Sequence, residues 1–363
     1  MKRDPNATWG KALTRQEFLK LGGAGLAGAA LLGTAGCGAR GGGAEGGGGG
    51  GDGESFTIKF SHVVTAETPK GQAAEKFKEL VEKQSDGKIK VEIFPNSELY
   101  GDEDELQALQ SGSVQMLAPS SAKFTTIAPQ LQVLDLPFIF DSVDDIPEIV
   151  SPDSNVGKAI FENKKLASKN IKVLGLWDNG LKQLSSNTEM TKPDDLNGLK
   201  FRIQPSDVLR SQFKSWGANS TPLAFAEVYN ALQQGVIDGA ENPYSNIESQ
   251  NMQTVQKHIS ESDHGYIGYV LAINNDFYDK LPDDLKKAVD DSAKEASTYN
   301  REIAADLNQK AKDKIEKGGK SKITKLSDSE RQDFKDAVVP SVWKQYSDII
   351  GKDLVDELLK KQG

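Results

Sequence analysis

Gly198-Leu-Lys-Phe-Arg-Ile203 opens a stretch that closes with Asp238-Gly-Ala-Glu-Asn-Pro243, and between them lie one fixed cation, one aromatic ring and one amide: Arg202, Phe225 and Asn242. The pattern predicts a strand over 199–203, a helix over 207–216 stopped by Gly217, a helix over 226–234 stopped by Gly235, and a strand over 236–240. Glycine is the expected stop because it enters the left-handed conformation at little cost. Pro243 disfavours helix at Asn242, so the amide is presented at a strand end. This combination suits recognition of a small anion better than chemistry on it.

Working outward, Phe56-Thr-Ile-Lys-Phe60 alternates apolar and polar residues, Pro69 opens a helix with Ala73, Ala74, Phe77, Leu80 and Val81 on one face, and Lys88-Ile-Lys-Val-Glu-Ile-Phe94 alternates again. A helix over 102–111 closed by Gly112 and a strand over 114–118 follow, and strands alternating with helices imply an α/β lobe with a largely parallel sheet. Some 310 residues follow Gly53, more than one core usually holds, so two lobes are expected. The apolar strand Ile171-Lys-Val-Leu-Gly-Leu-Trp177 precedes a crossing to the second lobe at Asp178-Asn-Gly180, and Tyr266-Ile-Gly-Tyr-Val-Leu-Ala-Ile273 is a strand that returns. Residues 283–317 contain neither Gly nor Pro and carry apolar residues at helical spacing, enough for about 50 Å of helix at 1.5 Å per residue. They form either one helix across both lobes or two helices broken near Thr298-Tyr-Asn300.

Pro222-Leu-Ala-Phe-Ala-Glu-Val-Tyr-Asn-Ala-Leu-Gln-Gln-Gly-Val-Ile-Asp-Gly-Ala-Glu-Asn-Pro243 is the most specific part of a likeness that runs from about Phe56 to the C-terminus. It resembles the solute receptors of tripartite ATP-independent periplasmic (TRAP) transporters, in the DctP-like dicarboxylate-receptor family of extracytoplasmic substrate-binding proteins. The resemblance implies an α/β, two-lobed periplasmic-binding-protein-like fold, with the ligand cleft between the lobes and a long helix spanning both. Lobe I would comprise 54–178 with 268–305, and lobe II 179–267 with 306–363. It further implies a receptor without cofactor or catalysis that hands a small organic acid to TRAP membrane permease subunits.

Arg202 by position either faces solvent from its strand or points into the cleft, and the resemblance gives it the second role, holding a ligand carboxylate. Phe225 and Asn242 read alone as a core ring and a turn amide; the resemblance has them pack on the ligand and bond its carboxylate. Lys182 stands where many relatives have a second arginine, keeping the charge and losing the planar fork. Trp177 either stacks on the ligand or fills the core. From the first lobe, His62 after Ser61, Glu105 and Ser120 beside Ser121 stand at strand ends or a helix start, where cleft residues arise in open α/β sheets. Glu241 reads as structural, since a free carboxylate would repel a bound anion.

Residues 1–36 read as an export signal: a basic start (Lys2, Arg3, Lys11, Arg15, Lys20) and then an apolar run too short to span a bilayer. Thr14-Arg-Gln-Glu-Phe-Leu-Lys20 approaches a twin-arginine pattern with Gln16 in the second arginine's place, which leaves both export routes open. The only cysteine, Cys37, follows this run and precedes a glycine-rich tether over 38–53. With no core to enter, its better reading is a lipidated anchor to the outer face of the cytoplasmic membrane, each buried methylene adding about 0.8 kcal/mol. A net charge of -9 argues against a nucleic-acid partner and requires local cations for any anionic ligand. The three histidines, His62, His258 and His264, make no His-Glu-x-x-His motif, and no Gly-x-Ser-x-Gly elbow occurs. A sensory receptor for a membrane kinase is the alternative from a second class, and an extracytoplasmic hydrolase from a third.

Overall fold

The computed structural model describes residues 55–362; the expected export signal, Cys37 and the glycine-rich tether lie outside the described residues. Strand β1 (Phe56–Ser61) leads through helix α1 (Pro69–Gln84) to β2 (Ile89–Phe94), which pairs with β1 in parallel. Thr68 caps α1 by accepting the Gly71 N–H, and Pro69 takes the first turn, where a missing N–H breaks no bond. Helix α2 (Glu105–Ser111) ends at Gly112, whose φ of 77° is the left-handed stop the sequence predicts. Strand β3 (Met116–Leu117) is shorter than expected and joins β1 in parallel.

The long strand β4 (Ile171–Leu181) runs almost directly into β5 (Gln183–Ser186), with only Lys182 between. The second sheet then gathers β6 (Lys200–Ile203), β7 (Asn219–Pro222), β8 (Gly239–Asn242), β9 (His258–Glu261) and, last in the chain, β11 (Lys322–Lys325). Its order is β11-β9-β5-β8-β6-β7; β10 (Tyr266–Asn274) completes the first sheet as β2-β1-β3-β10-β4. The crossing expected at Asp178-Asn-Gly180 falls later, because β10 holds β4 in the first sheet until Tyr266 pairs with Leu181. There the Lys182 N–H donates to the Gly265 carbonyl at 2.8 Å, tying the outgoing strand to the returning one.

A strand was expected over 236–240, yet β8 starts only at Gly239. Gly235, at φ 68°, prolongs the turn, Val236 is exposed, and Asp238 turns its carboxylate back to accept the Lys200 N–H at 2.8 Å. The helix expected over 226–234 begins as a 3₁₀ turn, Phe225–Glu227, before the α-helical Val228–Gln233. Helix α3 (Asp207–Ser215) is capped by Ser206, and α4 (Tyr244–Ser249) follows β8 directly.

Helix α5 (Asp283–Gly318) is one unbroken helix. Asn300 does not interrupt it; its Oδ1 turns inward and accepts the Asp178 N–H at 2.5 Å. Leu285, Val289, Ala293 and Ala296 pack with Phe60, Phe77 and Trp177 under the first sheet, whereas Ala311 and Ile315 pack with Ile247 of α4 and Ile259 of the second sheet. The helix is therefore the third connection between the lobes. Helix α6 (Asp328–Ile350) lies against α3 and the 3₁₀ segment Pro129–Asp135, with Trp216 Nε1 donating to the Phe334 carbonyl and Trp343 Nε1 to the Pro137 carbonyl. No described helix is long and apolar enough to cross a membrane.

Strand β4 lies close against α5 at Gly175, where an added Cβ would sit 2.5 Å from Ser297 Oγ, the acceptor of the Trp177 indole N–H. Gly175→Ala should therefore lower stability by about 1–3 kcal/mol, through overpacking and loss of that bond. Urea unfolding checks this; an unchanged midpoint would mean the strand and helix have slack.

Candidate functional site

The two lobes meet along a seam that encloses a cavity of about 20 Å³. The first lobe contributes Val63, Val64, Lys70, Asp102, Ser120, Lys123 and Tyr269 to its wall, and the second Gln204, Phe225, Asn242 and Asn246. Bonds cross the seam: the Phe225 N–H donates to Asp102 Oδ2 at 2.5 Å, Ser120 Oγ to Gln204 Oε1 at 3.1 Å, and Asn246 Nδ2 to the Tyr269 hydroxyl at 3.3 Å. A volume near one water is far below the roughly 300 Å³ of ordinary ligand pockets, so the lobes must part to admit a solute.

Arg202 backs this wall from mid-β6, only 2% exposed. Its Nε and Nη2 both donate to the Leu223 carbonyl, at 2.9 and 2.8 Å, which fixes the guanidinium plane and leaves Nη1 without a hydrogen bond among the described residues. Burial lowers its pKa, opposed by the charges of Asp102 and Glu241. Asn242, at the end of β8, accepts from Asn246 through Oδ1, while its own Nδ2 finds only Met252 Sδ at 4.0 Å. One guanidinium edge and one amide thus remain as donors.

Opposite them, Lys70 donates to the Ala118 carbonyl at 3.1 Å and stands 3.8 Å over the Tyr269 ring. Burial lowers its pKa to about 8 against the pull of Glu105 and Asp102. Lys123 pairs with Asp102 and lies 3.6 Å from Glu105 Oε1. For Asp102, burial raises the pKa but Lys123 more than reverses it, and the net shift is downward. Glu105 does not reach the cavity; it lies behind Lys123, and burial pushes its carboxyl up to about 7. His62 is buried with neither ring nitrogen bonded, and burial and Lys70 hold it neutral with a pKa of about 3.

Two expected ligand contacts lie elsewhere. Lys182 donates to Glu241 Oε1 at 2.8 Å, both residues 1% exposed, so its charge is already neutralised and it does not line the cavity. Burial would raise the Glu241 carboxyl, but Lys182 and His264 hold it down at about 2. His264 is kept neutral by burial: its Nε2–H donates to Glu241 at 2.8 Å, and Nδ1 accepts from Ser262 Oγ, the tautomer that a carboxylate partner requires. Trp177 is a core residue, tilted on Phe60 at 5.9 Å and bonded to Ser297. The structure therefore brings Phe225, Asn242 and Ser120 to the seam, sets Arg202, His62 and Glu105 behind it, and removes Lys182 and Trp177 from it.

Lys70, Lys123, Asn246 and Tyr269 were not anticipated as wall residues. Lys70 left a signal: a cation in the first turn of a helix opposes the helix dipole and needs another reason to be there. Tyr269 is a hydroxyl inside a wholly buried strand, which requires a polar partner. Asn246 and Lys123 gave no local sign. A larger hollow of about 570 Å³ lies beside the crossing strands, but its cations Arg301 and Lys312 are paired with Asp178 and Glu261 and offer an anion little. Among the described residues no cluster of His, Cys, Asp and Glu is placed to hold a metal.

Two α/β lobes joined by three connections, with buried donors facing one another across the seam, define a two-lobed solute receptor. The chain belongs to the bacterial extracellular solute-binding protein family 7 (DctP), whose profile matches residues 60–348, and it is a DctP-like receptor of the TRAP type. It is 43% identical to the C4-dicarboxylate-binding periplasmic protein DctP of Rhodobacter capsulatus over 303 residues, 83% of this chain and 90% of that one. A TRAP periplasmic solute-binding protein from Shewanella oneidensis with bound succinate superposes with a TM-score of 0.80 at 40% identity, covering 84% of this chain and 99% of that one. The sugar acid binding protein DctPAm from Advenella mimigardefordensis, in complex with galactonate, also gives 0.80, at 31% identity, over 85% and 97% of the two chains. The family is one of receptors rather than enzymes, and its location is extracytoplasmic.

Lys182→Met would strand the buried Glu241 charge and should cost about 3–5 kcal/mol of stability, while Lys182→Met/Glu241→Gln should recover most of it. Because the Glu241 value of about 2 lies below the ordinary 4.5, its contribution is full above pH 4.5 and is lost as pH falls towards 2. Chemical denaturation of both variants across pH checks the pair; equal stabilities would show that Lys182 and Glu241 are not coupled.

Proposed function

We propose that this receptor closes its two lobes over a small organic carboxylate and delivers it to TRAP membrane permease subunits driven by an ion gradient. The observation that carries the reading is Arg202, a fully buried guanidinium pinned by the Leu223 carbonyl with Nη1 left unbonded beside the seam. Each charge-assisted bond from such a fork contributes about 1.5–3 kcal/mol. Asn242 supplies a second donor, Phe225 packs on the ligand body, and Lys70 and Lys123 supply cations from the opposite lobe; Ser120, released from Gln204 as the lobes part, bonds a polar substituent. Binding energy realised only when both lobes touch the ligand favours the closed form.

The bodies that move are hinged where Lys182 meets Gly265, so they divide at 182 and 265 rather than at 178 and 268. The succinate of the Shewanella oneidensis relative supports a C4-dicarboxylate as the ligand class to test first, and the galactonate of the Advenella relative a sugar acid second. Cys37, lipidated after removal of the export signal, anchors the receptor to the outer face of the cytoplasmic membrane through the glycine-rich tether.

Calorimetry against a panel of carboxylates should show loss of about 100-fold or more in affinity for Arg202→Ala, the equivalent of roughly 3 kcal/mol, with the fold intact by circular dichroism. Unchanged affinity would place the site elsewhere. In cells, Cys37→Ser should move the protein from the membrane to the soluble extracytoplasmic fraction; retention on the membrane would exclude the lipid anchor.

A further inference from the structure

Around the seam, Lys70, Lys123 and Arg202 supply three positive charges, and Asp102 and Glu105 two negative ones. The remaining ionisable groups facing this cluster add nothing to the count. His62, at the end of β1, and the Tyr269 phenol of β10 are held neutral by burial; Glu241 of β8 is matched by Lys182, and beside that pair burial pushes the Asp135 carboxyl up to about 7, towards its neutral form. A monoanion therefore brings the seam to neutrality, whereas a dianion leaves one buried negative charge in excess, which is strongly unfavourable away from water.

We infer that Glu105 takes up one proton when the cleft closes on a dianion and remains ionised when it closes on a monoanion, so that one cleft accommodates either ligand charge. This rests on the carboxylate reading of the site. The proton comes from the buffer and forms an O–H bond on the Glu105 carboxyl; no other bond changes. Geometry selects Glu105 over its neighbour. Asp102 holds Lys123 and the Phe225 N–H, whereas Glu105 Oε1 is buried without a hydrogen bond and its nearest cation is 3.6 Å away. In the closed arrangement its value of about 7, set by burial against the pull of Lys123, puts the titration within the working range. Glu105 is thus a positioning residue for charge, acting on the ligand through Lys123 and Lys70.

Calorimetric titration in buffers of different ionisation heat counts the protons. Near pH 7 the wild-type receptor should take up about one proton more with succinate than with its monoamide, succinamate, and Glu105→Gln should abolish the difference. Succinate affinity should fall at least about fourfold between pH 6 and pH 7.5 in the wild type and stay nearly flat in Glu105→Gln, because a carboxyl that titrates at or below about 7 before closure must be reprotonated on binding. This slope decides the question if succinamate binds too weakly to titrate. Equal uptake with both ligands, a flat wild-type slope, or a difference that survives Glu105→Gln overturns the proposal; survival would move the proton to another buried carboxyl. No heat with any carboxylate would overturn the underlying reading as well, whereas binding without proton uptake overturns only this one.

Discussion

The seam between the lobes is a place where charge cannot be left unbalanced. Lys70, Lys123, Arg202, Asp102 and Glu105 sit almost out of reach of water, and an unpaired ion there would cost several kcal/mol. Each cation is therefore braced by an acceptor of fixed position: Arg202 by the Leu223 carbonyl, Lys70 by the Ala118 carbonyl and Lys123 by Asp102. Fixing the donors in advance lowers the ordering cost of binding, because the protein has already oriented them.

Both sheets serve that arrangement. Strands β4 and β10 carry the chain between lobes as a paired unit, and α5 supports them from behind through Asn300, Arg301 and Asn308, which bond Asp178 and Asn179 at the crossing. The same region holds Asn179, Ser245, Asn246 and Tyr269 in one hydrogen-bonded chain, linking the hinge to the wall of the cavity. Lobe motion and ligand contact are thus mechanically joined by side chains that belong to both.

Much of the fold was legible in the chain. Glycine stops at 112, 217 and 235 adopt positive φ as expected, the βαβ start is parallel, and the run without Gly or Pro from 283 is one helix. Strand limits at the crossing were not legible, because the partner strand some ninety residues away sets where β4 leaves its sheet. At the site, Arg202 and Asn242 had roles only through the family resemblance of their stretch, since by position each had a plain structural reading, whereas the meaning of Lys182 depended on its buried neighbours Glu241 and His264. A charge by itself says nothing about what already neutralises it. Lys123 takes its place from Asp102 and Glu105 of its own lobe and Asn246 from Asn242 of its own, and neither has a local pattern that anticipates this.

The loop after β7 holds the site together through peptide groups rather than side chains. The carbonyl of residue 223 orients the guanidinium and the N–H of residue 225 meets Asp102, so these two contacts are made by the backbone while the Leu223 and Phe225 side chains pack with the core. Substitution at either position can reshape the space around a solute while leaving the cation and the closing contact in register. Such a scaffold separates what the receptor must keep from what it is free to vary, and selectivity among acids can drift within it without rebuilding the clamp.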